Sequence, residues 1–170
     1  MSFAEAQDEG RHNISAPFMD AALFDRTFDE GMALVEETAR YLDGPGREES
    51  RALPRSAALL YAGESMRVTT RLMQAASWLL IQRAVREGEM CPDAAAGERY
   101  RLGSKEICLG GRTENLELLP DTLRDLLDRS ERLYRRIARL EEAILSTRSA
   151  AQPPLQAQFE RLQQSFSVVG

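Results

Sequence analysis

The chain has 170 residues, of which 43% are hydrophobic and 29% charged, and this length fits one domain with enough apolar residues for a core. Its 27 acidic residues outnumber its 22 basic ones, and the net charge of −5 argues against a general nucleic-acid binder, because such proteins neutralise phosphates with a basic surface. Two cysteines, Cys91 and Cys108, and one distant histidine, His12, are too few for a four-ligand zinc site, so we expect reduced thiols.

Residues 1–17 are small, polar and acidic without periodic apolar positions, which predicts a flexible N-terminus. The same stretch lacks the basic start and apolar run of a secretory signal. No apolar run in the chain approaches the roughly 20 residues that cross a bilayer. We therefore expect a cytoplasmic protein.

A first helix is predicted to begin near Pro17 to Asp20 and to end at Asp43. Apolar positions at helical spacing define its core seam, with a flanking seam beside it: Phe24, Phe28, Gly31, Val35, Thr38 and Leu42, then Leu23, Thr27, Leu34 and Tyr41. The helix should stop at Gly44, because this glycine can adopt a left-handed conformation and Pro45 cannot continue the helix. A short connection, Arg47 to Leu53, leads to Pro54 and Ser56 at the start of the next helix.

The second predicted helix, Leu59 to Val85, is too apolar to bury only one face. A first seam has the three-and-four spacing of a coiled-coil contact: Leu59, Ala62, Met66, Thr69, Met73, Ala76 and Leu80. A second seam runs beside it: Tyr61, Ser65, Val68, Leu72, Ala75 and Leu79. With two seams to bury, this helix is predicted to be the centre of a bundle.

A third strip of the same helix carries charged residues and the only tryptophan: Glu64, Arg67, Arg71, Gln74 and Trp78, extended by Leu60 and Ile81. Two interpretations of Trp78 remain open. Either the third helix, the long loop or a dimer mate covers it, or it is an exposed interaction hot spot, since tryptophan and arginine dominate such sites.

Gly88 to Gly111 reads as a long loop with a short extended piece within Tyr100 to Leu109. Pro120 and Asp121 then start a third helix that runs to about Ser149. Its seam is regular: Leu123, Leu126, Ser130, Leu133, Ile137, Leu140 and Ile144. Residues 150–170 are predicted to be a flexible tail, which could hold a short recognition helix from Leu155 to Phe166.

These elements predict an all-α protein: an antiparallel three-helix bundle over residues 18–149, with a long loop between helices two and three and flexible termini. The first helix is acidic and the second basic, so antiparallel packing would place opposite charges along their shared edge.

No arrangement of residues predicts catalysis, a metal or a cofactor. The third helix carries a cluster of arginines: Arg129, Arg132, Arg135, Arg136 and Arg139. Three of them have an acidic residue four positions earlier, at Asp125, Asp128 and Glu131. This spacing predicts ion pairs within the helix and a self-neutralised face instead of a phosphate site. The GPG turn lacks the lysine and hydroxyl residue of a phosphate loop. Function must therefore come from protein surfaces.

Two stretches carry a family resemblance: GMALVEETARYLDGPGREE at Gly31–Glu49 and ESMRVTTRLMQAASWLLIQRAV at Glu64–Val85. They resemble the alphaproteobacterial family of the regulator of CtrA degradation, RcdA, formerly a domain of unknown function. The resemblance covers the first two helices closely and the third helix and tail only in kind. It implies a dimeric three-helix bundle with a mobile C-terminal tail.

In function, the resemblance implies a non-enzymatic adaptor that helps deliver cell-cycle regulators to the ATP-dependent protease ClpXP. The implied partners are a second copy of the chain, ClpXP-associated proteins, a response-regulator-like adaptor and the regulators themselves, with concentration at a cell pole. No nucleic acid, membrane or cofactor is implied. The alternative is a dimeric scaffold without a role in proteolysis, and a more distant one is a transcription-associated factor that uses the arginine face.

Residues that match the family fall into two groups. The interhelical motif comprises Asp43, Gly44, Gly46, Arg47 and Glu48, whose simpler interpretation is a helix stop with its capping contacts. The central-helix motif comprises Glu64, Met66, Arg67, Arg71, Leu72, Met73, Trp78 and Gln82. Of these we expect Met66, Leu72 and Met73 in the core. The predicted partner or dimer interface is Glu64, Arg67, Arg71, Gln74, Trp78, Leu60 and Ile81.

Overall fold

A computed structural model describes residues 21–111 and 113–151, and every regular element within these ranges is helical. The six α-helices are α1 (Ala21–Asp43), α2 (Pro45–Ala52), α3 (Arg55–Arg86), α4 (Pro92–Ala95), α5 (Lys105–Cys108) and α6 (Asp121–Ala151), with short 3₁₀ helices at Glu98–Tyr100 and Leu116–Leu118. The predicted flexible termini and the predicted helix at Leu155 to Phe166 lie outside the described residues. The expected all-α class is confirmed.

Helices α1 and α3 run antiparallel. Near the start of α1, Phe24 and Phe28 lie under the guanidinium groups of Arg86 and Arg83 at the end of α3, 4.5 and 4.9 Å from the ring centroids. Midway, Gly31 lets the helices approach closely, because a Cβ at this position would lie 2.8 Å from the Leu79 side chain. The two helices thus form an antiparallel hairpin joined by α2.

Helix α6 is antiparallel to α1 but parallel to α3, which corrects the expected fully antiparallel arrangement. Arg129 of α6 pairs with Glu37 of α1, and Arg136, further along α6, pairs with Glu30, earlier in α1. The two helices therefore run in opposite directions. Arg71 of α3 instead contacts positions 127 and 131 of α6, near the start of that helix. Parallel neighbours need a connection that returns to the starting end.

That connection, residues 87–120, is named the crossover here. From the end of α3 it runs back along the groove between α3 and α6. The order of its contacts traces this path: Asp93 with Arg148, Leu102 with Glu141, Gly103 with Gln74, Cys108 with Arg71, and Thr113 with Glu64. The predicted long loop from Gly88 to Gly111 is thus a packed segment that contains α4, α5 and one 3₁₀ helix, and the predicted extended piece within Tyr100 to Leu109 is wrong because α5 occupies Lys105–Cys108.

The core lies among α1, α3 and α6 with the crossover closing one side. On α6 the predicted seam is confirmed: Leu123, Leu126, Ser130, Leu133 and Ile137 are buried, and Leu140 and Ile144 are half-buried. On α3 the second predicted seam is buried at Tyr61, Val68, Leu72, Ala75 and Leu79, with Ser65 half-buried. On α1 the buried face mixes both predicted seams: Phe24, Thr27, Gly31, Leu34, Thr38 and Tyr41.

The segment between α1 and α3 differs from the predicted connection because Pro45 opens helix α2. Pro45 sits in the first turn, where its fixed φ suits a helix and its missing N–H is not needed. Gly44 ends α1 as predicted, donating its N–H to the Arg40 and Tyr41 carbonyls, but with φ −113° instead of a left-handed angle. Gly46 lets α2 approach α1 and α3, since a Cβ there would collide with Tyr41 and Tyr61.

Candidate interaction surfaces

The strip of α3 predicted to be a surface lies in the interior, beneath the crossover. Glu64, Arg71 and Trp78 are only 3–4% exposed. The other predicted interface residues are half-buried: Leu60, Arg67, Gln74 and Ile81. Trp78 belongs to the buried core of the chain, so the first of its two interpretations, a covered tryptophan, is correct and the exposed hot spot is wrong.

Arg71 is the central contact between α3 and the crossover. Its Nε donates to the carbonyl oxygen of Cys108 at 2.7 Å, and its Nη1 donates to the carbonyl oxygen of Leu127 at 3.2 Å. Its Nη2 reaches a Glu131 carboxylate oxygen at 3.4 Å. Burial lowers the pKa of Arg71, and the Glu131 charge opposes that shift. Two backbone carbonyls and one carboxylate therefore replace the water that this guanidinium loses.

Further side chains of α3 form hydrogen bonds with the crossover. Gln74 accepts a hydrogen bond from the Gly103 N–H at 2.9 Å, and Arg67 donates to the Gly111 carbonyl at 3.3 Å. The Glu64 carboxylate accepts from the Thr113 hydroxyl at 2.6 Å. Besides Arg148, which pairs with Asp93, six side chains of α3 and α6 bind the crossover, and we name these six the polar ladder: Glu64, Arg67, Arg71, Gln74, Tyr134 and Glu141.

The two members from α6 complete this arrangement. Glu141, also buried, accepts from the Leu102 N–H at 2.6 Å, and the Tyr134 hydroxyl donates to the Gly103 carbonyl at 2.6 Å. Burial raises the pKa of Tyr134, which keeps its hydroxyl protonated as a donor. The crossover has little regular structure, so the ladder supplies partners that its backbone would otherwise lack.

The opposite face of α3 is exposed apart from the half-buried Thr70, and between Leu59 and Leu80 it carries no charged residue. We name it the bare stripe: Leu59, Ala62, Gly63, Met66, Thr69, Thr70, Met73, Ser77 and Leu80. Its four large side chains are 77%, 72%, 64% and 53% exposed, in the order Leu59, Met66, Met73 and Leu80. The expectation that this seam, including Met66 and Met73, lies in the core is wrong for the single chain. The apolar residues extend over roughly 32 Å of helix at 1.5 Å per residue.

A groove of about 390 Å³ lies beside the middle of the bare stripe. Met66, Thr69 and Thr70 of α3 line it together with Leu42 of α1 and with Arg47 and Ser50 of α2. Aliphatic and hydroxyl groups and one guanidinium group therefore line a depression next to an exposed apolar ridge. This relief suits packing against another helix better than a flat surface does.

The interhelical motif forms the turn between α1 and α2, as its simpler interpretation predicts. Asp43 and Arg47 form an exposed ion pair at 3.6 Å, and Glu48 is exposed. Sequence reasoning missed Glu49, whose carboxylate accepts a hydrogen bond from the Tyr41 hydroxyl at 2.6 Å. Burial and this bond raise the pKa of Tyr41. The motif residues thus serve the α1–α2 junction.

The acidic residues of α1 that were expected to face the basic helix α3 form ion pairs with α6 instead. Arg129 contacts both oxygens of Glu37 at 2.7 Å, a bidentate pair that raises the pKa of the guanidinium and lowers that of the carboxyl. The intrahelical pairs predicted at Asp125–Arg129 and Glu131–Arg135 are present at 3.1 and 2.7 Å. Between α1 and α3, the carboxylate of Asp25 lies 3.9 Å from the guanidinium of Arg86.

The two cysteines are free thiols in contrasting places. Cys91 is exposed and Cys108 is buried beneath Arg71. Burial raises the pKa of the Cys108 thiol, which lowers its thiolate fraction and its reactivity. Both thiols lie in the crossover, so their reaction rates with a thiol reagent would measure the exposure of two different parts of it.

Within the described residues, no three histidine, cysteine, aspartate or glutamate side chains cluster as metal ligands would. Over the same ranges, no helix combines the length and apolar character required to span a membrane.

Comparison with known proteins identifies relatives. Residues 15–166 match the family described as "Protein of unknown function (DUF1465)". Among solved structures, the chain is similar to RcdA from Caulobacter crescentus CB15, with 56% sequence identity and a TM-score of 0.62. The match covers 75% of this chain and 95% of the RcdA chain. No curated protein matches the sequence.

Proposed function

We propose, from the premise that this chain belongs to the DUF1465 family and is a relative of RcdA, that it is a non-enzymatic adaptor in regulated proteolysis. In this role it helps to deliver cell-cycle regulators to the ClpXP protease. The proposed process, regulated proteolysis, rests on the similarity to RcdA, the regulator of CtrA degradation. The bare stripe is the observation that supports a role in binding other proteins.

The bare stripe supports this role because folded soluble chains rarely leave a long apolar helix face uncovered. In a chain with 29% charged residues, nine positions along six turns of α3 are uncharged. A continuous exposed apolar patch of this kind marks an interaction site. We therefore place the main protein-binding surface on the bare stripe, opposite the strip that the sequence alone favoured.

Self-association is part of the proposal. A second copy of the chain is the partner that the bare stripe fits first, since closed two-fold dimers are the commonest assemblies of identical chains. The further proposed partners are a response-regulator-like adaptor, ClpXP-associated proteins and the regulators to be degraded. An adaptor acts mainly by raising the local concentration of its cargo at the enzyme, so weak separate contacts suffice.

Degradation kinetics test the function. Proteins captured from lysate on the immobilised chain would be identified, purified and incubated with ClpXP and ATP, with and without this protein. We expect at least one captured regulator to disappear several-fold faster when the protein is present. Unchanged degradation rates for every captured protein would contradict the adaptor role.

A matched pair of variants connects the surface to the activity. Met73→Glu changes an exposed residue of the bare stripe, whereas Arg132→Glu introduces the same side chain on the exposed side of α6. We expect the first variant to lose capture and the second to retain it. The alternative function, a dimeric scaffold with no link to proteolysis, predicts that capture recovers only the protein itself.

A further inference from the structure

The methionines that the structure describes fall into two groups by exposure. Four of the six methionines of the chain lie within the described ranges. Met66 and Met73 are 72% and 64% exposed, whereas Met32 and Met90 are half-buried, and Met32 packs against the core. Both exposed methionines belong to the bare stripe. They lie roughly 10 Å apart along α3 at 1.5 Å per residue and on the same face of the helix.

The thioether side chains suit a surface that binds other proteins, because methionine is unbranched and polarisable and fits partners of different shapes. The hydroxyl groups between the two methionines are already engaged within the helix. The Thr69 hydroxyl donates to the carbonyl oxygen of Ser65 at 2.8 Å. The Thr70 hydroxyl donates to the carbonyl oxygen of Met66 at 2.9 Å. The centre of the bare stripe therefore offers a partner mainly apolar contact.

Oxidation changes this apolar character at one atom of each side chain. When hydrogen peroxide reacts with a thioether, a sulfur lone pair attacks one peroxide oxygen, the S–O bond forms and the O–O bond breaks. The hydroxide that leaves takes the proton from the transferred oxygen and becomes water. Sulfur is oxidised by two electrons and the peroxide is reduced by two. The product, methionine sulfoxide, is polar and can be reduced again by two enzymes, one for each sulfoxide epimer.

A sulfoxide in the bare stripe must lose its water when a partner packs there. Burying a polar oxygen without a hydrogen-bond donor costs free energy, and the protons of Thr69 and Thr70 are already used. The thioethers of Met66 and Met73 lie outside the packed interior of the single chain. Their oxidation should therefore weaken binding and leave the fold intact.

The two cysteines are not part of this surface. Cys108 is buried, and Cys91, although exposed, lies in the crossover. Oxidation chemistry at the bare stripe itself is therefore confined to its two methionines.

We infer that Met66 and Met73 are reversible oxidation sites, and that their conversion to sulfoxide by peroxide switches off protein binding by the bare stripe. This inference rests on the proposed function and specifies how its binding surface is regulated. A partner that covers the bare stripe also shields both sulfur atoms from peroxide. Binding and oxidation therefore oppose each other, as linked equilibria require.

Oxidation kinetics test the two sites in the full-length protein. The protein is treated with hydrogen peroxide at neutral pH and quenched at intervals, and the oxidised fraction of each methionine is measured by mass spectrometry after digestion. We expect Met66 and Met73 to be oxidised at least tenfold faster than Met32, the internal control, with unchanged helical content by circular dichroism. Equal rates at the three positions, or loss of helix on oxidation, would overturn the inference.

Retention on a phenyl resin measures the apolar surface with a defined probe, the immobilised phenyl group. We expect peroxide to abolish most of the retention of the parent protein, and the two sulfoxide reductases to restore it. The double variant Met66→Leu with Met73→Leu keeps the stripe apolar without a thioether, so its retention should survive peroxide. Met90→Leu, which removes a methionine outside the bare stripe, should behave as the parent does. Equal loss of retention in the double leucine variant would overturn the inference.

Capture of the regulators identified in the degradation experiment separates this inference from the proposed function. We expect capture to fall at least tenfold when the parent is oxidised and to stay unchanged when the double leucine variant is oxidised. Undiminished capture by the oxidised parent would overturn the switch and retain the adaptor role. If no captured regulator is degraded faster, the adaptor role fails, and the comparison on the phenyl resin still decides whether oxidation removes the apolar binding surface.

Discussion

Two faces of the same helix invert the usual relation between polarity and burial. Toward the crossover, α3 buries Glu64 and Arg71, while on the bare stripe Met66 and Met73 are exposed. The charged side chains are inside because the crossover brings polar groups into the interior that need partners: the Cys108 carbonyl binds Arg71, and the Thr113 hydroxyl binds Glu64. The apolar side chains are outside because nothing in the described single chain covers them.

This comparison teaches that one helix carries two kinds of contact. The covered face forms hydrogen bonds mostly to backbone atoms, with the Glu64–Thr113 and Arg71–Glu131 side-chain contacts beside them, and each bond is specific to the fold of one chain. The bare stripe is an apolar contact without fixed hydrogen bonds, as expected of a surface that meets another molecule. Mutations on the two faces should therefore separate stability from association.

The sharpest test uses neighbouring leucines on opposite faces. Leu79→Ala should lower the free energy of unfolding by about 4 kcal/mol, because Leu79 is fully buried and its loss leaves a cavity next to Gly31. Leu80→Ala removes the same atoms from an exposed position and should change the unfolding free energy of the monomer by less than about 0.5 kcal/mol. Urea denaturation at low protein concentration measures both, and equal losses would contradict the distinction between the faces.

Arg71→Met should lower stability by about 3 kcal/mol. The methionine fills most of the space but removes the Arg71 donor from the Cys108 carbonyl, while the Leu127 carbonyl keeps the Ser130 hydroxyl as a donor. Because Arg71 lies directly over Cys108, we also expect the Cys108 thiol to react at least tenfold faster with a thiol reagent, while the exposed Cys91 reacts at its original rate. Arg132→Met, an exposed position on α6, is the control, and an unchanged Cys108 rate would show that Arg71 does not secure the crossover.

Met73→Glu tests the other face. A carboxylate on each copy of the interface must lose water when the copies pack, so we expect the dimer dissociation constant to rise at least 30-fold, about 2 kcal/mol. Helical content by circular dichroism should remain unchanged because position 73 is exposed in the single chain. Sedimentation equilibrium at several concentrations provides the measurement, and an unaltered constant would remove Met73 from the interface.

The smallest expected effect lies away from both faces, at the Glu37–Arg129 pair. Its side chains are 42% and 36% exposed, so solvent screening limits the contribution to roughly 0.5 kcal/mol. The pKa of Glu37 is lowered from its ordinary value of 4.5, so its stabilisation is present above that pH and is lost as the pH falls through the folded-state pKa. Glu37→Gln should therefore be less stable than the parent at pH 7, with the difference shrinking below pH 4.5.

Periodicity predicted the helices well where one face alone is apolar. On α6 the seam from Leu123 to Ile144 is interrupted only by Ser130, so the buried side was evident from spacing. Pro45 as a helix start and the α2 helix were missed, because the short sequence Arg47–Leu53 is highly polar and carries no apolar period.

On α3 the spacing of apolar residues could not distinguish the seam that packs inside the chain from the seam that is exposed as the bare stripe. Both have the same residue types and spacing, and only the position of α6 separates them. Arg71 was misplaced for a related reason: a charged residue is expected outside unless its partners are known. Those partners are carbonyls of Cys108 and Leu127, about 40 to 60 residues away, and helical periodicity contains no information on contacts at that range.

The parallel orientation of α3 and α6 has a consequence for the order of folding. The α1–α3 hairpin closes through the short α2 segment, whereas α6 can pack beside α3 only after the chain has travelled back along the length of α3. Closing the longer connection costs more chain entropy, and non-local contacts slow folding. We expect Gly31 and Leu79 to be structured in the folding transition state and the crossover around Leu102 to form late, so that destabilising substitutions at Leu102 mainly accelerate unfolding.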